Sequence, residues 1–402
     1  MLERPQLRPY LQRTQVHHDP LHVYLVDQLG LATQPQRLTV EEWRWLELFD
    51  GRRTLPEIHC EAMRVAGGEL VSLDRFADLV RRLDEWLFLE GPRFRGLIDG
   101  KVRAPRCIGC YEGDANALRM QLRRFFAGRN GQGLPKPCAT PGRLRGALIP
   151  HVDYPRGGVT YAWGFKEVAE QTHAALFVII GTSHYGRHRF TLTRKDFETP
   201  LGIVPTDQDF IDRLVRHYGD GLFDDELLAH IPEHSIGLAV VFLQYLFEGR
   251  RPIRIVPLVV ASFQDCVDAK RRPRDSEDIS RMIAALRGAE AETREPIFYI
   301  ISGDLAHLGP KFGDPQPVGE RELASSKEQD YRLIGEVEEA SADGYFQVIV
   351  DERDRRRVCG LPPTYVVLEA LKPTHGKLLH YDQYLGPEGF ESVSFASMGF
   401  FR

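Results

Sequence analysis

The sequence predicts an α/β protein built on a mostly parallel sheet flanked by helices, with a small helical module in front of it. Three observations predict this. From residue 146 onward, short apolar runs bounded by Gly or Pro alternate with helical stretches, the pattern of strands buried on both faces. Before that, residues 38–90 carry helical periodicity in three consecutive pieces. Finally, 402 residues with 43% hydrophobic and 27% charged side chains exceed one ordinary core while keeping a globular composition.

The helical pieces come first in the chain. "LTVEEWRWLELFDG", "TLPEIHCEAMRVAG" and "VSLDRFADLVRRLDEWLFLEG" each open near Thr or Ser in a capping position and repeat apolar residues at spacings of three and four. The closing "WLFLEG" reads as a short strand, and the earlier "HVYLVDQLGLA" as a small hairpin. Residues 1–92 are therefore expected as one module. Residues 93–145 read as a linker carrying one amphipathic helix, "DANALRMQLRRFF", that packs on the main domain. The main domain is expected over 146–402. There "GALIPH", "ALFVIIGTSH", "IRIVPLVVAS" and "EPIFYIISGDLAH" read as strands, with "YAWGFKEVAEQT" and "SEDISRMIAALRG" as helices between them.

Charge and composition narrow the function classes. The net charge of -5, from 52 basic and 57 acidic side chains, supplies no overall field for nucleic acid or anionic lipid. Arg-rich "KRRPRD" and "DERDRRR" mix signs and fit solvated loops, and the third helix of the module holds only Arg75, Arg81 and Arg82 among several acids. No run of ~18 uncharged apolar residues is present, and "MLERPQLRPYLQR" lacks a signal-peptide core, so a cytoplasmic address without a membrane partner is expected. Six cysteines in a chain this long are too sparse for a disulfide framework and are expected as free thiols. Cys107 and Cys110 form a C-x-x-C with no second pair to complete a zinc site.

The chemistry-bearing residues stand at strand ends. "GALIPH" finishes on His151, "LFVIIGTSH" on His184, and "IFYIISGDLAH" on Asp304 and His307. In parallel sheets active groups gather beyond the carboxyl ends of the strands, so these side chains are expected in one crevice. "IPEHSIGLAVVFLQYL" places Glu233 and His234 at a helix start, where the macrodipole disfavours imidazolium and leaves His234 neutral. Cys359 precedes Gly-Leu-Pro-Pro and another helix, whose N-terminus lowers a thiol pKa. Thiolate with two imidazoles is a familiar ligand set for Zn, Cu or Fe. Gly157 and Gly158 after Arg156 read as a loop that can approach a substrate.

These blocks carry a resemblance. "IPHVDYPRGGVTYAWGFKEV", "VIIGTSHYG", "EHSIGLAVVFLQYL", "ISGDLAHLGPKF", "CGLPPTYVVLEAL" and "SVSFASMGF" resemble, in order over residues 104–402, the successive motifs of the Memo family. The resemblance implies a fold like that of class III extradiol dioxygenases and a pocket in which His151, His184 and Cys359 hold one transition metal ion, Fe, Cu or Zn. It also implies His234, Asp304 and His307 as the other pocket residues; these are the expected catalytic set, in which His234 or His307 moves the proton and Asp304 orients His307. Asp153, Tyr154, Arg156, Tyr185 and Glu233 are the expected substrate contacts around it. Two of these depart from animal members: Asp153 stands in place of a small residue, and Tyr185 in place of a second His. The Asp-Gly turn followed by "TLPEI" resembles the PqqD type of winged-helix module, which holds peptides by strand addition. Memo-like proteins of the AmmeMemoRadiSam set accompany a radical-SAM protein, which implies such a partner here. The expected function is a metal-dependent redox enzyme acting on a small molecule or peptide; the alternative is a non-catalytic adaptor that binds a peptide or phosphopeptide in the same cleft.

Overall fold

The computed structural model describes residues 2–15, 17–32, 34–65, 72–107 and 109–402. Ala66 and Gly67, which end the second predicted helix, and Val71, which begins the third, lie outside the described residues. The chain forms two compact units, Met1–Lys101 and Val102–Arg402.

In the first unit, β1 (Leu11–Thr14), β2 (His22–Asp27) and β3 (Gln36–Thr39) make an antiparallel sheet in that order, followed by α1 (Val40–Leu46), α2 (Leu55–Val65), α3 (Leu73–Glu85) and α4 (Pro92–Ile98). The α1 start is a reciprocal capping box: the Thr39 hydroxyl accepts from Glu42 N at 3.1 Å, and the Glu42 carboxylate accepts from Thr39 N at 2.8 Å. Apolar residues at helical spacing on α3, namely Phe76, Leu79, Val80 and Leu83, bury against Trp45 and Leu38. The segment read as a hairpin by itself contributes one strand, β2, whose partners lie outside it. "WLFLEG" pairs only through a bridge from Leu89 to Leu7. Both short apolar runs found nonlocal partners, which local alternation does not encode.

The second unit begins with β4 (Val102–Arg103), α5 (Ala115–Ala127), β5 (Leu144–Ile149), α6 (Tyr154–Gln171), β6 (Leu176–Thr182), β7 (Phe190–Leu192), β8 (Asp196–Thr199) and β9 (Gly202–Val204). It continues with α7 (Gln208–Tyr218), α8 (Glu226–His230), α9 (Ser235–Phe247), β10 (Arg254–Val260), α10 (Gln264–Asp268), α11 (Glu277–Ala291), β11 (Ile297–Ser302) and β12 (His307–Leu308). The chain closes with α12 (Glu320–Glu338), α13 (Ala342–Asp351), α14 (Leu361–Leu371), β13 (His375–Leu385) and β14 (Ser392–Phe401). The segment expected as a linker from 102 to 145 belongs to this unit, because α5 buries Leu118, Leu122 and Phe126 in its core.

The main sheet runs β12-β14-β5-β11-β6-β10-β7, with β13 paired to β14. Its centre, β5, β11, β6 and β10, is parallel; β7, β12, β13 and β14 add antiparallel pairs at the flanks. The sheet is thus mixed with a parallel centre, and helices cover both faces with two apolar clusters. Register positions the site: Ser302 pairs with Ile149 on one side and Gly181 on the other, so the three strands stop at one level. His151, Asp304 and His184 follow within three residues of those positions.

Two expectations are corrected here. Gly157 and Gly158 are not a loop but the first turns of α6, where a Cβ would meet Val152 Cγ1 at 2.4 Å or the Phe125 ring at 2.4 Å. Close packing, not loop freedom, demands glycine there. Cys107 and Cys110 are joined in a disulfide, so these two are not free thiols; Cys60, Cys138, Cys266 and Cys359 are. Among the described residues no helix is long and apolar enough to cross a membrane.

Candidate metal centre

His151, His184 and Cys359 each present a ligand atom, and these atoms all lie within 4.8 Å of one another. They come from the loops after β5 and β6 and from the turn before α14. His151 Nε2 stands 3.3 Å from Cys359 Sγ. A tetrahedral metal with ordinary bond lengths of ~2.05 Å to nitrogen and ~2.3 Å to sulfur separates those atoms by about 3.5 Å, so the donor set fits a bound ion with shifts of a few tenths of an ångström.

The other ring nitrogens are committed elsewhere. His151 Nδ1 faces the Ser302 carbonyl at 3.2 Å, and His184 Nδ1 faces both Glu233 oxygens at 3.0 and 3.1 Å. Each pairing leaves Nε2 for the centre, and a carboxylate behind a ligand histidine raises its basicity. Glu233 also accepts from the backbone N–H groups of His184, His234 and Ser235 at 2.8, 2.8 and 3.0 Å. It is 2% exposed, and Arg103, itself buried, donates to the backbone carbonyls of His230 and Glu233. Glu233 therefore orients His184 from behind and is no substrate contact. Nothing in the local sequence "KVRAPR" signals this role for Arg103; only its burial reveals it.

Asp304 is corrected similarly. It does not orient His307: Asp304 Oδ1 accepts from His151 N at 2.9 Å, while His307 Nδ1 is held by the Leu305 and Arg357 carbonyls at 3.2 and 3.0 Å. His307 N donates to the Arg356 carbonyl at 2.7 Å, which ties the strand β12 to the segment leading into Cys359. Gly303 and Gly360 let the two loops touch, since a Cβ on Gly303 would come 2.6 Å from Gly360 Cα. The Gly360 N–H donates to the Asp304 carbonyl at 2.9 Å and closes that contact.

His234 lies beside both histidines, its ring 5.1 Å from that of His184 and 5.6 Å from that of His151. It is the N-cap of α9 rather than a first-turn residue. Burial pushes its pKa down to about 4, with Glu233 opposing, so the neutral imidazole expected from the sequence holds by desolvation. Of the remaining expected contacts, Tyr185 is 45% exposed beside His184. Tyr154 is wholly buried with its hydroxyl on the Leu238 carbonyl at 2.6 Å, so it belongs to the core and not to a substrate surface. Asp153 caps α6: it accepts from Arg156 N at 3.2 Å and from Arg156 Nε at 2.9 Å. Neither residue points a free group at the ligands, because Arg156 also pairs with Glu391 and lies over the Tyr384 ring.

The metal-free electrostatics are those of an ion pair. Burial raises the Cys359 pKa, but the charges of His151 and His307 outweigh it and bring the thiol down to about 5. For His151, burial opposes protonation, yet Cys359 and Asp304 lift it to about 9. Burial also opposes charge on His184, and Glu233 overcomes it and holds the group well above the usual imidazole value. A depressed thiol is ionised above its folded pKa, so alkylation of Cys359 in metal-stripped protein should level off above about pH 6. A rate still climbing through pH 8–9 by peptide mapping, as for an ordinary thiol, would contradict this assignment.

Glu233→Gln keeps the shape and removes the charge behind His184. Metal affinity should fall ~10–100-fold by competition with a chromophoric chelator, as for the loss of other carboxylates behind ligand histidines. An unchanged affinity would show that Glu233 merely fills space.

A family description, "Memo-like protein", matches residues 103–399. Among similar chains, a MEMO1 family protein of Aquifex aeolicus is 26% identical over 389 residues, covering 93% of this chain and 95% of that one, and so reaches into the first unit. A MEMO1 family protein of Pyrobaculum aerophilum is 28% identical over 313 residues, covering 75% of this chain and all of its own length. One of Methanopyrus kandleri is 28% identical over 286 residues, covering 69% and 91%.

Proposed function

We propose a function from the premise that this chain belongs to the Memo-like protein family: it is a metal-dependent redox enzyme acting on a small molecule or a peptide. The observation that carries the reading is the convergence of His151, His184 and Cys359, with Glu233 behind the His184 ring, the Ser302 carbonyl behind the His151 ring, and Asp304 holding the His151 backbone N–H. Three protein ligands leave a coordination position for a substrate, and a thiolate among them suits Fe or Cu that changes oxidation state. When bound, such an ion supplies electron transfer and Lewis acidity.

The chain's own residues would perform the rest. His234, neutral and with its ring 5.1 Å from that of His184, would take or return a proton beside the metal. His307 has its Nδ1 held by the Leu305 and Arg357 carbonyls, so that nitrogen is not available as a base. Tyr185 is the exposed aromatic available to a substrate. The first unit supports a peptide-presenting role of the PqqD kind: β1 is an edge strand with mostly exposed side chains, available for strand addition, in the setting of a radical-SAM partner.

Metal analysis of protein isolated without added metal tests the reading. About one equivalent of Fe or Cu is expected, with a spectrum that changes on chemical reduction. Stoichiometric Zn alone would remove the redox part, and no metal with no uptake of added ions would remove the whole.

A further inference from the structure

The C-x-x-C of residues 107–110 has no place in the metal centre, and its surroundings give it a separate chemistry. Cys107 and Cys110 are joined, whereas Cys60, Cys138, Cys266 and Cys359 are not. The bond spans two residues, so it removes very little chain entropy and is a poor staple. The turn is also held without it. Cys110 N donates to the Cys107 carbonyl at 2.7 Å, Gly109 N donates to the Tyr111 carbonyl at 3.2 Å, and the Tyr111 hydroxyl donates to the Arg106 carbonyl at 3.2 Å. Tyr111 is buried against Tyr154, and Tyr154 N donates to the Cys110 carbonyl at 3.0 Å. A backbone that keeps two thiols together in either redox state lets them interconvert without rearrangement.

Access agrees. Both cysteines are partly exposed, and the exposed Gly109 between them has open space where a side chain would stand, at a φ of 103° that favours glycine.

We propose that Cys107 and Cys110 form a thiol–disulfide exchange site that takes an external dithiol as its substrate, independently of the metal centre. A thiolate of the dithiol bonds to one sulfur of the pair while the S–S bond breaks and the other cysteine leaves as thiolate. The second thiol of the reagent then attacks the mixed disulfide, closing its own disulfide and releasing the second cysteine. Two electrons and two protons pass from the dithiol to the protein, and the reverse reaction reduces a disulfide.

The test uses the full chain with Cys60→Ser and Cys138→Ser, equilibrated against mixtures of reduced and oxidised dithiothreitol, then acid-quenched, alkylated and mapped by mass spectrometry. The pair should pass from mostly oxidised to mostly reduced in one two-electron step over about a hundredfold change in the reagent ratio. His151→Ala should show the same step, which separates this site from the metal reading. Cys107→Ser and Cys110→Ser should each abolish it and leave the remaining cysteine of the pair alkylatable at every ratio. Thiols that stay alkylatable at every ratio, or a bond that resists reduction until the chain is unfolded, would overturn the proposal.

Discussion

His151→Ala and Cys359→Ala should each bind metal roughly 10²–10³-fold more weakly than the parent, because one of about four ligands is lost from a total of ~10–16 kcal/mol. Circular dichroism should be unchanged for Cys359→Ala, whose sulfur makes long contacts to the His151 ring and the Asp304 carbonyl and lies within 4.8 Å of the His184 ligand nitrogen. His151 is different in one respect: its backbone N–H, retained in the variant, still donates to Asp304 Oδ1, so the loop stays in place while the ligand goes. Equal metal uptake by parent and both variants in a chelator competition would rule out this ligand set. Loss in only one variant would move the centre toward the other donors around His184, since His184, Glu233 and His234 also lie close enough to share an ion.

Arg356→Ala should be the most destabilising single change near the site, by about 3–5 kcal/mol, since it leaves a buried charge uncompensated. Arg356 is 4% exposed and pairs with Asp330, which is fully buried, and with Glu352 at 2.7 Å. Burial pushes Asp330 up and Arg356 opposes it, so without the guanidinium the carboxyl must take a proton or drag water in. The same residue braces the route into Cys359. Arg353, Asp354 and Arg357 all have positive φ, of 54°, 47° and 54°, a strain of about 1–3 kcal/mol each that persists only where neighbours over-determine the backbone. Denaturant titration of the metal-free protein checks the stability, and metal titration of the folded variant checks whether Cys359 has lost its place. A midpoint equal to that of the parent would show that the network contributes nothing.

Much of the site was legible because its residues sit where local rules apply. The histidines at 151 and 184 end continuous apolar runs, and an apolar run that long is a strand buried on both faces. Cys359 precedes Gly360 and two prolines, a helix start readable from the chain alone. Asp153 was legible too, as an N-cap before a Pro-containing first turn, but the paired glycines suggested a loop and hid it.

What the sequence by itself determined is the set of donors and the elements that carry them, because hydrophobic period and cap chemistry depend on neighbours along the chain. What only the tertiary structure decided is which carboxylate stands behind which histidine. β11 lies between β5 and β6, so Asp304 reaches the backbone of His151 rather than the ring of His307. Glu233 comes from a loop some fifty residues after His184 and fixes its ring. Tyr154 is a core residue because the α6 turn aims it inward at Leu238. Strand order and burial are long-range properties, and no residue spacing encodes them.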